Sequence, residues 1–353
     1  MGGNALKELG AKRVESHRAR ALGLIVCQAL DKVIQEKGFD LPSHLIAAYR
    51  SKVDYGDLDI LVPEEFVDLV GREELVQRLG LELGTDLPFV QQFAKAPVFH
   101  TGLALPEGGC LQVDLMPIPS QCYEFSKSYY AWNDLSKTFT IIAREMNGLR
   151  FGFDGLARSI KVNGKVLGDV TFTRDFDEAL AFLDFDVARY RQGFDTLDEM
   201  FEYAASNPRF NKAMFQLENR NSRGRSQDSV RVTYMAFLAW MKDRDLPEYD
   251  WDTDTTDWME KALTRFPQAR IDYQRLLDLH DLALANKVRY NGSVVTQITG
   301  FKRESLGLFM ESFKKHQGEK TFDQWISDTS DEDIKRAMLN FKAMWTPTDS
   351  LEP

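Results

Sequence analysis

Apolar residues recur at helical spacing near the start of the chain and throughout its second half. In residues 11–37, Leu22, Val26, Leu30 and Val33 share one helical face, and Gly38 is a suitable end. Beyond residue 174 the same spacing marks the segments 176–184, 196–205, 229–243, 256–264, 269–286, 303–316 and 331–344. The pattern predicts a helical region that begins near residue 175.

Shorter apolar runs lie between these regions and have the length of strands. The predicted strands are residues 45–49, 58–62, 87–93, 98–105 and 110–116, followed by a hairpin of 156–160 and 166–172 around Asn163-Gly164. Helices are predicted at 63–70 and 123–146. Pro117 is expected to end the strand at 110–116. Since most of these strands look antiparallel, we expect an α+β fold with a mixed domain over residues 1–174 and a helical domain over 175–353.

Composition and charge narrow the class of protein. With 43% hydrophobic and 28% charged residues among 353, the chain resembles an ordinary globular protein. No apolar run approaches the length that crosses a bilayer, no signal peptide is evident at the start, and three cysteines do not make a disulfide framework. We therefore expect a cytoplasmic protein without a membrane partner. The net charge of −10 disfavours binding of nucleic acid by bulk charge but allows a local basic groove.

The candidate chemistry lies on two of the predicted strands. Asp57 and Asp59 open the first, and the period-two alternation of a strand turns both carboxylates to one side. Asp114 interrupts the second, where Leu111 and Val113 occupy the opposite face. Oxygen ligands in this pattern suit Mg²⁺, and three converging carboxylates hold two ions if the strands are neighbours. The alternative is that Asp57 and Asp59 belong to a solvated turn and that Asp114 is an ordinary strand residue.

The turn before the acidic strand offers groups that bind phosphate. The Ser51 hydroxyl, the Ser51 backbone N–H and the Lys52 ammonium are all donors suited to phosphate oxygens, and Arg50 precedes them. Gly2 and Gly3 would allow a close approach of the backbone to a ligand, or belong to a frayed terminus.

These residues resemble the nucleotidyltransferase superfamily of the DNA polymerase β type. Asp57 and Asp59 match its acidic pair, Asp114 matches its third carboxylate, and its usual Gly-Ser turn is replaced here by Arg50-Ser51. A divergent subfamily of phages and fungi carries a similar Lys-x-Asp-Tyr-Gly-Asp-x-Asp turn. The resemblance implies a catalytic domain with a mixed or antiparallel sheet over residues 1–174 and a helical substrate-binding domain over 175–353.

The resemblance also implies a reaction and roles for these residues. A nucleoside monophosphate would pass from an NTP to an acceptor, and pyrophosphate would leave. Asp57 and Asp59 would hold two Mg²⁺ ions, with Mn²⁺ as a substitute, and Asp114 would complete the metal site and serve as base. Arg50, Ser51 and Lys52 would bind the nucleotide.

Two further segments bear on the acceptor. The densest basic stretch provides four candidate phosphate contacts, or else forms a solvated loop paired with nearby acids: Arg220, Arg223, Arg225 and Arg231. Residues 291–307 predict two helices joined by Thr299-Gly300, and this pattern resembles a small helical module of tRNA nucleotidyltransferases. The expected acceptor is therefore RNA, with a tRNA 3′ end as the most specific candidate. The alternatives are a protein side chain or small molecule as acceptor, and a non-catalytic protein that binds nucleotide or RNA.

Overall fold

The computed structural model describes residues 5–91, 96–146, 148–249, 256–318 and 321–346. The chain divides into two compact units, the first formed by Met1–Ser159 with Asp169–Ala269 and the second by Ile160–Gly168 with Arg270–Pro353. The functional division at residue 174 stays a prediction, and Gly2 and Gly3 lie outside the described residues. Within the described residues, no helix is both long enough and apolar enough to cross a bilayer.

The first unit begins with short strands, a long helix and a four-stranded sheet. Its elements up to the sheet's last strand are β1 Val14–Glu15, α1 Ser16–Glu36, β2 His44–Leu45, β3 Asp54–Tyr55, β4 Asp57–Pro63, α2 Glu64–Val70, α3 Arg72–Leu83, β5 Phe99–Ala104 and β6 Cys110–Ile118. The main sheet has the order β2-β4-β6-β5, in which β4 and β6 are parallel and the other pairs antiparallel. A separate small pair joins β1 to β3.

Apolar alternation explains the position of this sheet. Leu58 and Ile60 of β4 pack with Val113 and Leu115 of β6. The buried faces of α1 and α3 belong to the same hydrophobic core. On the opposite face, Leu61 packs against a smaller cluster around Tyr123. Asp57 and Asp59, at the start of β4, lie on this second face, and the candidate site is there.

Helices dominate the rest of the chain. The remaining elements are α4 Tyr123–Tyr130, α5 Leu135–Glu145, β7 Arg150–Gly152, β8 Gly155–Val162, β9 Lys165–Thr173, α6 Phe176–Phe182, α7 Val187–Gln192, α8 Leu197–Ala205, α9 Lys212–Phe215, α10 Ser222–Asp228, α11 Val232–Lys242, α12 Trp258–Arg265, α13 Pro267–Arg289, α14 Gly292–Thr299, α15 Arg303–Gln317, α16 Phe322–Asp328 and α17 Asp331–Met344. In the second unit, α14 to α17 enclose their own aromatic core around Phe309 and Phe313. The α+β class and the helical second half are confirmed.

Several predicted boundaries are wrong for physical reasons. Of the strand predicted at 87–93, residues 87–91 form only a single bridge, Val90 to His100, and residues 92 and 93 lie outside the described residues. Pro117 does not end β6; pairing with β5 stops at Leu115, so β6 has only β4 as a neighbour at Pro117, and an edge tolerates proline. The helix predicted at 123–146 is broken, because Trp132 and Asn133 adopt left-handed conformations between α4 and α5.

Candidate functional site

The polar face of the main sheet carries three carboxylates, which we call the acidic row: Asp57 and Asp59 on β4 and Asp114 on β6. Leu58 and Ile60 point into the core, so Asp57 and Asp59 share the other face. Because β4 runs parallel to β6, Asp57 lies opposite Gln112 and Asp59 lies opposite Asp114. The structure thus brings the three predicted aspartates together on adjacent strands.

Asp114 is held in place by its neighbours. On β5, His100 lies opposite Asp114, and its Nδ1 is 2.8 Å from Asp114 Oδ1. The Gln112 side-chain amide donates to the same oxygen at 2.7 Å, while its own carbonyl accepts from the Leu6 backbone N–H at 3.1 Å. The His100 and Asp114 side chains are 11% and 13% exposed, so these contacts are largely shielded from water. Asp114 therefore presents a fixed carboxylate beside Asp59.

The sequence did not predict His100 and Gln112 as residues of the site. Gln112 shares the face of Asp114 by simple alternation, so the pattern of β6 contained a signal for it. His100 had no such signal, because its contact depends on the register between β5 and β6.

The electrostatics of the row are concentrated on Asp59. Its side chain is exposed to solvent but has many protein atoms around it. The pKa of Asp59 is raised to about 7. The largest cause is burial among protein atoms, and the negative charges of Asp57 and Asp114 come next. The positive charge of Lys52 therefore does not offset the repulsion among the three carboxylates.

A divalent cation fits this row by chemistry. The donors are carboxylate oxygens, which Mg²⁺ and Mn²⁺ prefer, and a cation would relieve the repulsion that raises the pKa of Asp59. In the described part of the chain, no three His, Cys, Asp or Glu side chains are arranged tightly enough to enclose an ion. Hydrogen bonds from Gln112 and His100 already occupy Asp114 Oδ1. The donor set is thus suitable, although its oxygens do not converge on one point.

Asp59→Asn is expected to stabilise the metal-free protein at alkaline pH. From the ordinary pKa of 3.8 up to about 7, the unfolded chain releases a proton that folded Asp59 retains, so stability falls as pH rises through this window. Asparagine removes the charge. After allowance for solvent screening, we expect a gain on the order of 1 kcal/mol at pH 8 and little at pH 4. Thermal unfolding in a chelator measures both; an unchanged or lower Tm at pH 8 would contradict the repulsion.

The turn before β4 is fastened to the connection between α7 and α8. The Arg50 backbone N–H donates to the Phe194 carbonyl at 3.0 Å, and its guanidinium binds Asp195 at 2.6 Å and also the Gln192 carbonyl. The Ser51 backbone N–H donates to the Asp195 carbonyl at 2.8 Å. The expectation that this N–H binds phosphate is therefore corrected: a protein carbonyl already occupies it. Arg50 is likewise engaged, while the Ser51 side chain is exposed.

Close packing accompanies this attachment at Gly193. Its φ is 73°, and a Cβ there would lie 2.5 Å from the Trp132 ring and 2.9 Å from the Arg50 guanidinium. Only glycine suits both the conformation and the space. The turn is thus held by shape as well as by hydrogen bonds.

Lys52 is the predicted phosphate ligand that stays beside the acidic row. Its Nζ lies 4.1 Å from the centroid of the Tyr55 ring. Burial lowers the pKa of Lys52, and the negative charges of Asp57 and Asp59 oppose this shift. Lys52 therefore places a partly desolvated cation within the field of the carboxylates.

The four predicted arginines have different environments. Arg220 is buried, and its Nε binds the fully buried Asp228 at 3.1 Å, so it is not an exposed phosphate contact. Lys137 Nζ lies 3.1 Å from the other Asp228 oxygen. Arg223 and Arg225 are exposed on α10. This stretch combines one structural ion pair with two accessible cations.

Arg231 forms an ion pair with Asp134, which follows the break between α4 and α5. The charge of Asp134 also contributes to the raised pKa of Asp59. The basic stretch thus belongs to the same compact unit as the acidic row.

Comparisons with known proteins do not assign the chain to a family. No protein-family model matches the sequence, and a search of curated proteins finds no match. The resemblance to polymerase β-type nucleotidyltransferases therefore stays a prediction. Function is inferred from the acidic row and the cations around it.

Proposed function

We propose that this chain is a metal-dependent nucleotidyltransferase that moves a nucleoside monophosphate from an NTP to an acceptor hydroxyl. The observation that carries the proposal is the register of β4 and β6, which sets Asp59 opposite Asp114 with Asp57 on the same face. The carboxylates of this row repel one another, and the repulsion weakens the fold above neutral pH. A site that costs stability in this way is typical of function.

The aspartates would hold Mg²⁺ and manage the proton of the acceptor. When bound, the ion would neutralise charge that develops on the entering and leaving oxygens. Asp114, fixed by His100 and Gln112, would orient the acceptor hydroxyl and accept its proton. The acceptor oxygen forms a bond to the α-phosphorus, the bond to the bridging β-phosphate oxygen breaks, and pyrophosphate leaves with that electron pair.

Lys52 would bind the triphosphate. Its partly desolvated ammonium would attract phosphate oxygens more strongly than a fully hydrated lysine, because less water must be removed on binding. Arg20 holds the turn from behind by donating to the Arg50 carbonyl at 3.1 Å, and Arg13 binds Asp54 at 2.6 Å. These contacts would fix Lys52 before the nucleotide arrives.

Lys52→Ala is expected to reduce the stabilisation that Mg²⁺ with an NTP gives the protein. A ligand that binds only the folded state raises Tm by mass action, so a weaker ligand raises it less. Thermal unfolding of the wild type, Lys52→Ala and the exposed control Lys37→Ala, with and without nucleotide, provides the measurement. Equal ligand-induced shifts in wild type and Lys52→Ala would remove Lys52 from the site.

RNA is the acceptor that we favour. Arg223 and Arg225 provide exposed cations in the unit that carries the acidic row, and guanidinium groups suit phosphate. The second candidate is a protein side chain or a small molecule, which the net charge of −10 favours because it repels nucleic acid at long range.

A further inference from the structure

The first unit contains a cavity of about 430 Å³ beside the edge strand β2. Its lining comes from β2, α4, the start of α6 and α7. His44, one of the lining residues, lies opposite Leu61 in the sheet, two residues along from Asp59 and on the same face. The cavity therefore borders the sheet face that carries the acidic row, and its volume is that of a small-molecule site.

The inner wall of the cavity is aromatic and rigid. Phe125, Phe176 and Tyr190 are almost fully buried, and the Arg191 guanidinium lies 5.6 Å from the centre of the Phe176 ring. Arg191 is also fixed at its nitrogens, since Nε donates to Asp177 at 2.8 Å and Nη1 donates to the Ser128 hydroxyl at 2.9 Å. An arginine held in this way offers a planar surface on which a heterocyclic ring stacks.

Trp132 adds a second flat surface to the lining. It lies in the break between α4 and α5 with a φ of 62°, a conformation that costs a bulky residue free energy. Its backbone N–H donates to the Ala47 carbonyl at 2.8 Å, and its ring packs on Phe194 and on the Arg50 guanidinium. The strain is thus maintained by contacts that keep the indole beside the cavity.

Charged groups of both signs supply the polar part of the lining: Lys127, Arg174 and Arg191 together with Glu124, Asp175 and Asp177. Asp177 is paired with Arg191, and the Asp175 side chain accepts from the Glu178 backbone N–H at the start of α6. Arg174 is exposed and forms no hydrogen bond or ion pair with the described residues. Lys127 pairs with Glu124 at 2.6 Å and retains 30% exposure. Burial, followed by the charge of Lys127, lowers the pKa of His44, so its ring is neutral near pH 7 and both donates and accepts.

We propose that this cavity binds a nucleoside monophosphate unit, with its base against Arg191 and Trp132 and its phosphate at Arg174. The combination carries the inference: two flat surfaces match a base, and an arginine without a protein partner matches a phosphate. The role of this unit as the acceptor rests on the proposed function. The unit is either a free nucleotide or the terminal residue of an RNA.

Calorimetric titration of the whole chain with AMP, CMP, GMP and UMP, in a chelator, tests the cavity. Without divalent ions the acidic row repels phosphate, so the titration reports the cavity. We expect the wild type to bind at least one of the four, and Arg174→Ala to weaken its affinity roughly tenfold or more, as for loss of a charge-assisted hydrogen bond. Arg174 is exposed, so this variant retains the fold. Arg275→Ala, an exposed arginine on α13, is the matched control and should bind as the wild type does.

A second series identifies the source of the unit. If a short linear RNA binds more tightly than the mononucleotide and a circular RNA of the same sequence does not, the unit is a terminal RNA residue. If mononucleotide and linear RNA bind equally, with the same loss in Arg174→Ala, the unit is a free nucleotide. Failure of all four mononucleotides to bind, or unchanged binding in Arg174→Ala, overturns the inference.

These outcomes remain separate from those of the proposed function. Lys52-dependent stabilisation by Mg²⁺ and NTP without mononucleotide binding would remove the cavity site alone. Mononucleotide binding without any stabilisation of the wild type by Mg²⁺ and NTP would leave the cavity site and remove the transferase.

Discussion

Asp59→Asn is expected to lower nucleotidyl transfer by about 10²- to 10³-fold, the range found when one preorganised electrostatic contact to the transition state is removed from an active site. The variant removes a carboxylate from the centre of the row, between Asp57 on its own strand and Asp114 on the next. Asparagine has the same shape, so the sheet stays intact. Incubation with each α-labelled NTP and total RNA, followed by separation of the labelled product, measures the rate.

The same variant should be more stable than the wild type in a chelator at pH 8. A lost activity that accompanies a gain in stability cannot arise from unfolding, so the pair of results identifies a functional charge. Asp68→Asn on α2 is the matched control, because Asp68 is an exposed carboxylate outside the row. If Asp59→Asn transfers label as fast as Asp68→Asn does, the row is not catalytic.

Replacement of Arg223 and Arg225 by alanine is expected to weaken RNA binding about tenfold and to flatten its salt dependence by roughly 0.7 per lost phosphate contact on logarithmic axes. Both side chains are exposed on α10, and the only hydrogen bond within the described residues that the double variant removes is the one from Arg225 to the Arg220 carbonyl at 3.3 Å. Arg220 is excluded from the test because its ion pair with Asp228 is buried, and its loss would destabilise the fold.

Filter binding to a pool of tRNA at two salt concentrations measures this effect. Lys7→Ala with Lys37→Ala removes the same charge from exposed positions in the first unit and serves as control. NTP-induced stabilisation should be unchanged in both double variants. No measurable wild-type binding at low salt would rule out RNA as acceptor and favour a protein side chain or a small molecule.

Local patterns predicted the elements whose signal is short-range. The Asn163-Gly164 turn gave the hairpin correctly, because both residues adopt the left-handed conformation that such a turn requires. The alternation around Asp57 and Asp59 placed both carboxylates on the open face of β4. The sequence did not predict helix α3, since its buried Leu75, Val76 and Leu79 are few and lie among charged residues in a helix of 12 residues.

Features that depend on tertiary pairing were not predictable. The parallel register of β4 and β6 requires β5 to occupy the far edge of the sheet, and no local pattern specifies that order. For the same reason the contact of His100 with Asp114 was not foreseen. For Arg220 the alternative of pairing with a nearby acid, Asp228, is the correct one, but the burial of that pair was not predictable, because an arginine-rich stretch is usually exposed.

The most direct test of the central claim is Mn²⁺ binding followed by electron paramagnetic resonance, in the presence of a non-hydrolysable NTP analogue. It requires no knowledge of the acceptor. The wild type is expected to bind Mn²⁺ with the analogue, and Asp59→Asn and Asp114→Asn are expected to lose most of that affinity while Asp68→Asn retains it, because the ligands lie on adjacent strands of one sheet face. Mn²⁺ binding of equal strength in the wild type and Asp59→Asn would contradict the claim that the acidic row is a metal site.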